Sequence, residues 1–366
     1  NIAANATNEN YDNGLTVSAN AVNTAESITG ENNAALAAIS KSSSGNTVNA
    51  ANNINVNGAK INSKGEFKLA ATNENRVLMK RKSTQSGVYV NSGGSLYNDI
   101  TSNSKVNIQN GSNINAKDVN ISSTAKIGTK NDDNIAYTIR AAGGIVEKET
   151  NINNNVVQTS EVNVDNSTVN ATSDMNINVD TNSTFSQSLD ASGSGFVANV
   201  DGFSNLTVTN NNKFNVLNNA TVSSDVLNVS LDSSNNLKNN VNLDASHFGF
   251  RDIDGTSNIT LNINNLIDNN GHIKADDLAQ FDIMKKSTNI LDQDVKVTVD
   301  AAIPTSAVDG SVQYNVNNKM NVAKNADIIS NKDVIVNYLS GNNKITSDMV
   351  EDLTCRILFG IPIHTV

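Results

Sequence analysis

The residues able to do chemistry are few and scattered along the chain. Two adjacent acid pairs, Asp132/Asp133 and Asp276/Asp277, have the residue types that glycoside cleavage draws on. Where Asn and Asp are this abundant, adjacent Asp residues read more simply as polar corners. A sugar-cleaving groove also uses aromatic platforms, and the chain has no Trp. The three histidines, His247, His272 and His364, lie far apart. None has a second His, Cys or carboxylate at a familiar metal-ligand spacing. His272 follows a corner glycine, Gly271, and is expected to face solvent. Cys355 has no His near it in sequence and reads as a buried structural thiol rather than a nucleophile. The stretch "DNNGHIKADD" resembles a calcium loop, but its Gly falls too early and no Glu closes the ligand set. Triplets such as Asn166-Ser-Thr, Asn182-Ser-Thr and Asn258-Ile-Thr follow from a composition rich in these residues. No catalytic, cofactor-binding or metal site is expected, and the chain reads as a non-enzyme.

Composition narrows the classes further. The 366 residues carry a net charge of -10, and aromatic residues make up only 4%. Lys and Arg are dispersed, with one tight run, Lys80-Arg81-Lys82, read as a solvated loop. An acidic chain with dispersed basic residues is a poor partner for nucleic acid or an anionic membrane. No stretch approaches the roughly 18 consecutive apolar residues of a membrane span. One cysteine excludes an internal disulfide and fits either the cytosol or an exported bacterial protein. The chain begins at Asn1 without Met or a signal peptide, and reads as a piece of a longer protein.

The elements that would position any site alternate with period two. In "VNIQNGSNINAKDVNI" (residues 106–121), Val106/Ile108, Ile114/Ala116 and Val119/Ile121 form short apolar bursts separated by polar breaks. The plan recurs at residues 162–179, with Val162/Val164, Val169/Ala171 and Met175/Ile177/Val179, and again at residues 214–231. Antiparallel sandwiches normally use longer strands, larger core residues and Pro or Asn-Gly hairpins. Short strands that coil and stack predict instead an all-β parallel β-helix (β-solenoid), elongated, with a narrow lumen filled by Val, Ile, Leu and Ala. Asn, poor in an isolated strand, suits this arrangement. It tolerates the left-handed conformation at corners, and stacked Asn amides can hydrogen-bond from coil to coil. About 20 residues per coil would give on the order of 17 coils and a rod about 80 Å long. Residues 32–40 read as either a buried strand or a helical turn, and residues 75–87 as a loop leaving the coil. The rod is assigned to residues 1–348. Residues 349–366 lack Asn and read as a cap or a truncated end.

The stretch "NLIDNNGHIKADDLAQFDI" (residues 265–283) resembles the repeat of filamentous haemagglutinin-type exoproteins. "AAGGIVEKETNINNNVVQTSEVNVDNSTVNATSDMNINV" (residues 141–179) looks like a unit of leukotoxin-type filamentous adhesins, and residues 46–71 have the same texture. The resemblance implies a right-handed parallel β-helix, secreted or on the bacterial cell surface, exported by two-partner secretion and serving virulence. Its implied partners are a host or neighbouring cell surface and an outer-membrane secretion protein. Its implied role is adhesion or the presentation of a distal domain. A stalk for a contact-dependent toxin and a β-helix polysaccharide lyase or hydrolase are the competing readings.

Overall fold

Every second side chain is buried along most of the stretch from residue 54 to residue 301, so the backbone there stays extended and must find partners on both edges. The computed structural model describes residues 9–11, 13–129, 133–246 and 249–355. It is all-β, a single sheet of 19 parallel strands, and contains no helix among the described residues. Parallel pairing without helical crossovers is possible only if the chain coils. One inward column makes the coil visible. Leu15, Phe67, Val119, Met175, Leu227, Ala279 and Val334 lie directly above one another. The fold is therefore a parallel β-solenoid.

The coil length departs from the sequence reading. Neighbours in this column are 52 to 56 residues apart, not about 20. Seven levels at about 4.8 Å each reach about 29 Å rather than about 80 Å. A representative coil has two long arms, Asp174–Ser194 and Val197–Leu217, and a short arm at residues 221–224. The short arm is a separate strand in other coils, as in Asn113–Ala116 and Thr168–Ala171. Each apolar burst read from the sequence is thus one piece of a coil, not a coil face in its own right. Residues 75–87 are not a loop: they run inside the strand Glu66–Gln109, with Val77, Leu78, Met79 and Arg81 buried. Residues 32–40 are strand on both sides of a bend at residues 35–36. Residues 349–355 lie in the last strand, Asn342–Cys355, which pairs with Thr288–Ala301. The remainder of that atypical segment lies outside the described residues.

The long arms of one coil face each other. Gln187 donates to Ser204 Oγ at 2.8 Å, and Asn210 donates to Ser233 Oγ at 2.9 Å and Asn235 Oδ1 at 2.7 Å. These contacts join residues on different arms, so the lumen is flat and lined from both sides. It is also not the dry aliphatic tube that the apolar bursts predict. Val, Ile, Leu and four buried Phe form the main core, but Asn73, Gln158, Gln187, Asn210, Asn212, Asn235 and Asn239 are buried among them. Their amides repeat up the stack, as in Asn212 to Asn265 at 2.9 Å and Asn265 to Asn318 at 2.8 Å. Buried amides are costly unless they find partners, and stacked copies supply many of them, although the side-chain oxygens of Gln158, Asn210 and Asn212 have none among the described residues.

Asn also occupies the places that the sequence predicts for it. On the outside, Asn107 donates to Asn55 at 2.8 Å, Asn163 to Asn107 at 2.9 Å and Asn215 to Asn163 at 2.7 Å. At the corner before the short arm, Asn110, Asn166, Asn218 and Asn219 have φ of 59°, 44°, 50° and 58°. This left-handed region penalises a Cβ-branched residue by about 1–2 kcal/mol. Replacing Asn166 with Val is therefore expected to destabilise by about that amount, whereas Asn166→Gly should stay within about 0.5 kcal/mol. Thermal melts of the two variants check this. Equal melting points would remove the conformational reason for Asn at the corner.

Candidate docking groove

The first long arm bends into the second at a corner built from glycine and bulky apolar residues. Gly143 lies against the Gly87 carbonyl, and Gly195 against the Gly143 carbonyl. A Cβ would stand 2.5 Å and 2.4 Å from those oxygens, so the stacked backbones admit no side chain. Just beyond the glycines, Tyr89, Ile145, Val197, Phe250 and Ile303 form one outward column in register. Phe196 packs edge-on against Phe250, with ring centroids 5.9 Å apart and planes at 76°. Between the two end coils, the strongly exposed large hydrophobics are Val88, Tyr97, Ile145, Phe196, Val197 and Phe250, and all but Tyr97 sit at this corner. A contiguous apolar strip on an otherwise polar surface needs an explanation that scattered apolar residues do not.

Carboxylates flank the strip. Two residues further along the arm, Glu147 accepts from Tyr89 Oη at 2.8 Å and from Asn91 Nδ2 at 2.9 Å, and Asp252 accepts from Thr305 Oγ1 at 2.9 Å. Four residues along, Glu149, Asp201 and Asp254 stand one above another, and none has an ion-pair partner among the described residues. Like charges in register repel. Burial, then the charges of Asp254, Asp252 and Glu149, push the Asp201 carboxyl up to about 6. The strip from Ile145 to Ile303 lines a groove of about 620 Å³ together with Glu147, Glu149, Asp201 and Asp252, and the exposed Lys41 also lines it, two coils from Glu149 with Gly93 between.

Two cations lie close in sequence but face away. Lys148, 3% exposed, turns inward, and its Nζ donates to the Ile139 carbonyl at 3.3 Å and to the Ser192 carbonyl. Arg251, also buried, donates to the Phe250 carbonyl at 3.0 Å and to the Gly195 carbonyl. Burial lowers the Lys148 pKa to about 7. The folded chain then binds fewer protons than the unfolded chain between pH 7 and the ordinary lysine value, so stability rises with pH across that window. Below it the charged amine sits in the interior at full cost. Replacing Lys148 with Met should raise stability at pH 6 by about 2 kcal/mol and flatten the rise above pH 7. Denaturant titrations at several pH values read both effects. A loss of stability at pH 6 would mean that the two carbonyl contacts outweigh the desolvation.

The residues singled out in the sequence do not gather here. Asp277 pairs with Lys332, and Asp133 pairs with Lys80 at 2.9 Å, while Asp132 lies outside the described residues. His272 Nδ1 is 3.0 Å from Asp327 Oδ1, a half-exposed corner contact, and His247 and His364 lie outside the described residues. Cys355 is half-buried at the end of the last strand, its Sγ 3.4 Å from the Ala302 carbonyl. Among the described residues no group of three or more His, Cys, Asp or Glu is placed to hold a metal ion. No helix among them is long and apolar enough to cross a membrane.

One reading is corrected. Lys80-Arg81-Lys82 is not a solvated loop: Arg81 is buried, reaches the Ser42 carbonyl, sits 3.6 Å from Glu31 and lies 5.1 Å over the Tyr137 ring. The stacked carboxylates Glu149, Asp201 and Asp254 come from neighbouring coils and carry no paired Arg or Lys among the described residues. The signal for the groove was present as "GVYV", "GGIV", "GFVA" and "GFRD", beginning at Gly87, Gly143, Gly195 and Gly249. It becomes visible only once the coil length is known. The chain matches no protein-family model, no curated protein and no solved structure.

Proposed function

We propose that this chain is a structural and adhesive segment of a larger bacterial surface protein, holding binding faces away from the cell and presenting them to another cell. The observation that carries this reading is the continuity of its side-chain ladders, of which Asn55-Asn107-Asn163-Asn215 is the clearest. Each coil templates the next, and this outer column repeats the same polar group over four successive levels. Such a stack resists load along its axis and offers many weak contacts in parallel, which suits multivalent attachment.

The test is saturable binding of the fluorescently labelled chain to cultured epithelial cells and to neighbouring bacteria, compared with the same chain heat-unfolded. Binding that saturates and is lost on unfolding supports the adhesive role. Release of unsaturated sugars from a polyuronide, with no cell binding, would replace it with the lyase reading.

A further inference from the structure

We infer that the corner groove docks a cationic amphipathic α-helix of a partner protein, laid parallel to the solenoid axis. This rests on the reading of the chain as a binding scaffold. It adds the chemistry of one partner and the site that takes it.

The direction follows from the columns. Apolar side chains at Tyr89, Ile145, Val197, Phe250 and Ile303 recur once per coil, so the strip runs across the strands. Its four steps span about 19 Å. A helix lying along it presents one apolar row every 5.4 Å or so, against about 4.8 Å between coils. The mismatch is about 0.6 Å per turn, so three to four turns, roughly 13 residues, stay in register. An extended peptide in the same direction repeats its same-face residues about 6.6 Å apart and loses register after one or two coils. The spacing therefore selects a helix over a strand.

Charge selects its sequence. Glu147 and Asp252 border the apolar column, and Glu149, Asp201 and Asp254 stand one pleat further out without a cationic partner among the described residues. Lys148 and Arg251 are turned into the interior, and the exposed Lys41 at the far end of the Glu149 column makes no ion pair with these acids among the described residues, so one lysine faces five carboxylates and the flank stays net negative. A helix with Leu or Phe on one face and Lys or Arg beside it covers the exposed Phe250 and Phe196 rings and supplies the missing positive charge. An acidic polysaccharide or a nucleic acid meets the same carboxylates as repulsion.

The experiment uses the whole chain and a fluorescein-labelled synthetic peptide of 15 residues. The peptide is built from Ala, Leu and Lys, with Leu at positions three and four apart and Lys on both sides. The expected result is saturable binding that weakens as salt is raised, and weakens about tenfold in Phe250→Ser and by a similar factor in Asp201→Asn/Asp254→Asn. The control variant Asp244→Asn/Asp268→Asn, which removes two outward carboxylates elsewhere, should bind as the parent does. Melting temperatures at or above that of the parent show that each variant is folded. No binding, equal binding of a scrambled peptide, or equal weakening in the control variant would overturn the proposal. Binding of the helix without any attachment to cells would sink the adhesive reading and leave the groove standing. Attachment to cells without helix binding would do the reverse.

Discussion

Replacing Ile177 with Asp is expected to destabilise the solenoid by about 4 kcal/mol or more, while Asn178→Asp changes stability by less than about 0.5 kcal/mol. The two residues are adjacent and differ only in the side of the strand they occupy. Ile177 is fully buried and stacked between Ile121 and Val229, whereas Asn178 is outward and partly exposed. A carboxylate at position 177 enters the apolar stretch between Met175 and Val179, where no cation is placed to meet it. Because each coil contacts only the coils above and below, the damage should be local: a second, lower melting step rather than a uniform shift. Circular dichroism against temperature and limited proteolysis around residues 170–180 check both the size and the locality. Equal tolerance at the two positions would contradict the alternation on which the coil rests.

The second large effect concerns a polar residue. Asn239 is fully buried, donates to the Ser204 carbonyl at 2.8 Å and the Asn258 carbonyl at 3.0 Å, and accepts from Gln187 at 3.0 Å and from the Ser204 hydroxyl. Leucine has nearly the same shape and would add apolar area, so a purely hydrophobic account of the lumen predicts stabilisation. The hydrogen-bond account predicts the opposite. Asn239→Leu leaves Gln187 and Ser204, both fully buried, short of partners, and should destabilise by about 3 kcal/mol. At Asn212 the side-chain oxygen has no partner among the described residues, so Asn212→Leu loses only the donor side and should be milder. Urea denaturation of the two variants ranks them. A stabilised Asn239→Leu would mean that the polar spine contributes specificity of stacking and no net stability.

That polar spine is also why the architecture was legible before its dimensions were. Val162/Val164, Val169/Ala171 and Met175/Ile177/Val179 stand out as inward bursts and are all buried. Between Val179 and Leu189 the inward positions are Thr181, Ser183, Phe185 and Gln187, equally buried but mostly polar. Hydropathy alternation fades there although the strand continues, so one long arm looks like several short faces. The spacing of the quoted copies, beginning at Val106, Val162 and Phe214, already contains the coil length, because residues 106 and 162 are partners in register. The groove was hidden for a related reason. Its carboxylates and apolar residues lie 52 to 56 residues apart in sequence from one coil to the next and become neighbours only through coil stacking.

By itself the sequence determined the class of fold, the inward and outward sides of its apolar bursts, and the use of Asn at left-handed corners. Those depend on local sterics and on period-two burial, which a short window of residues contains. Only the tertiary structure decided the coil length, the buried amide ladders, the inward turn of Arg81 and Lys148, and the corner strip with its column of acids. Each of these depends on which residue comes to rest one coil above another, and that register is set by the backbone pairing of whole arms together.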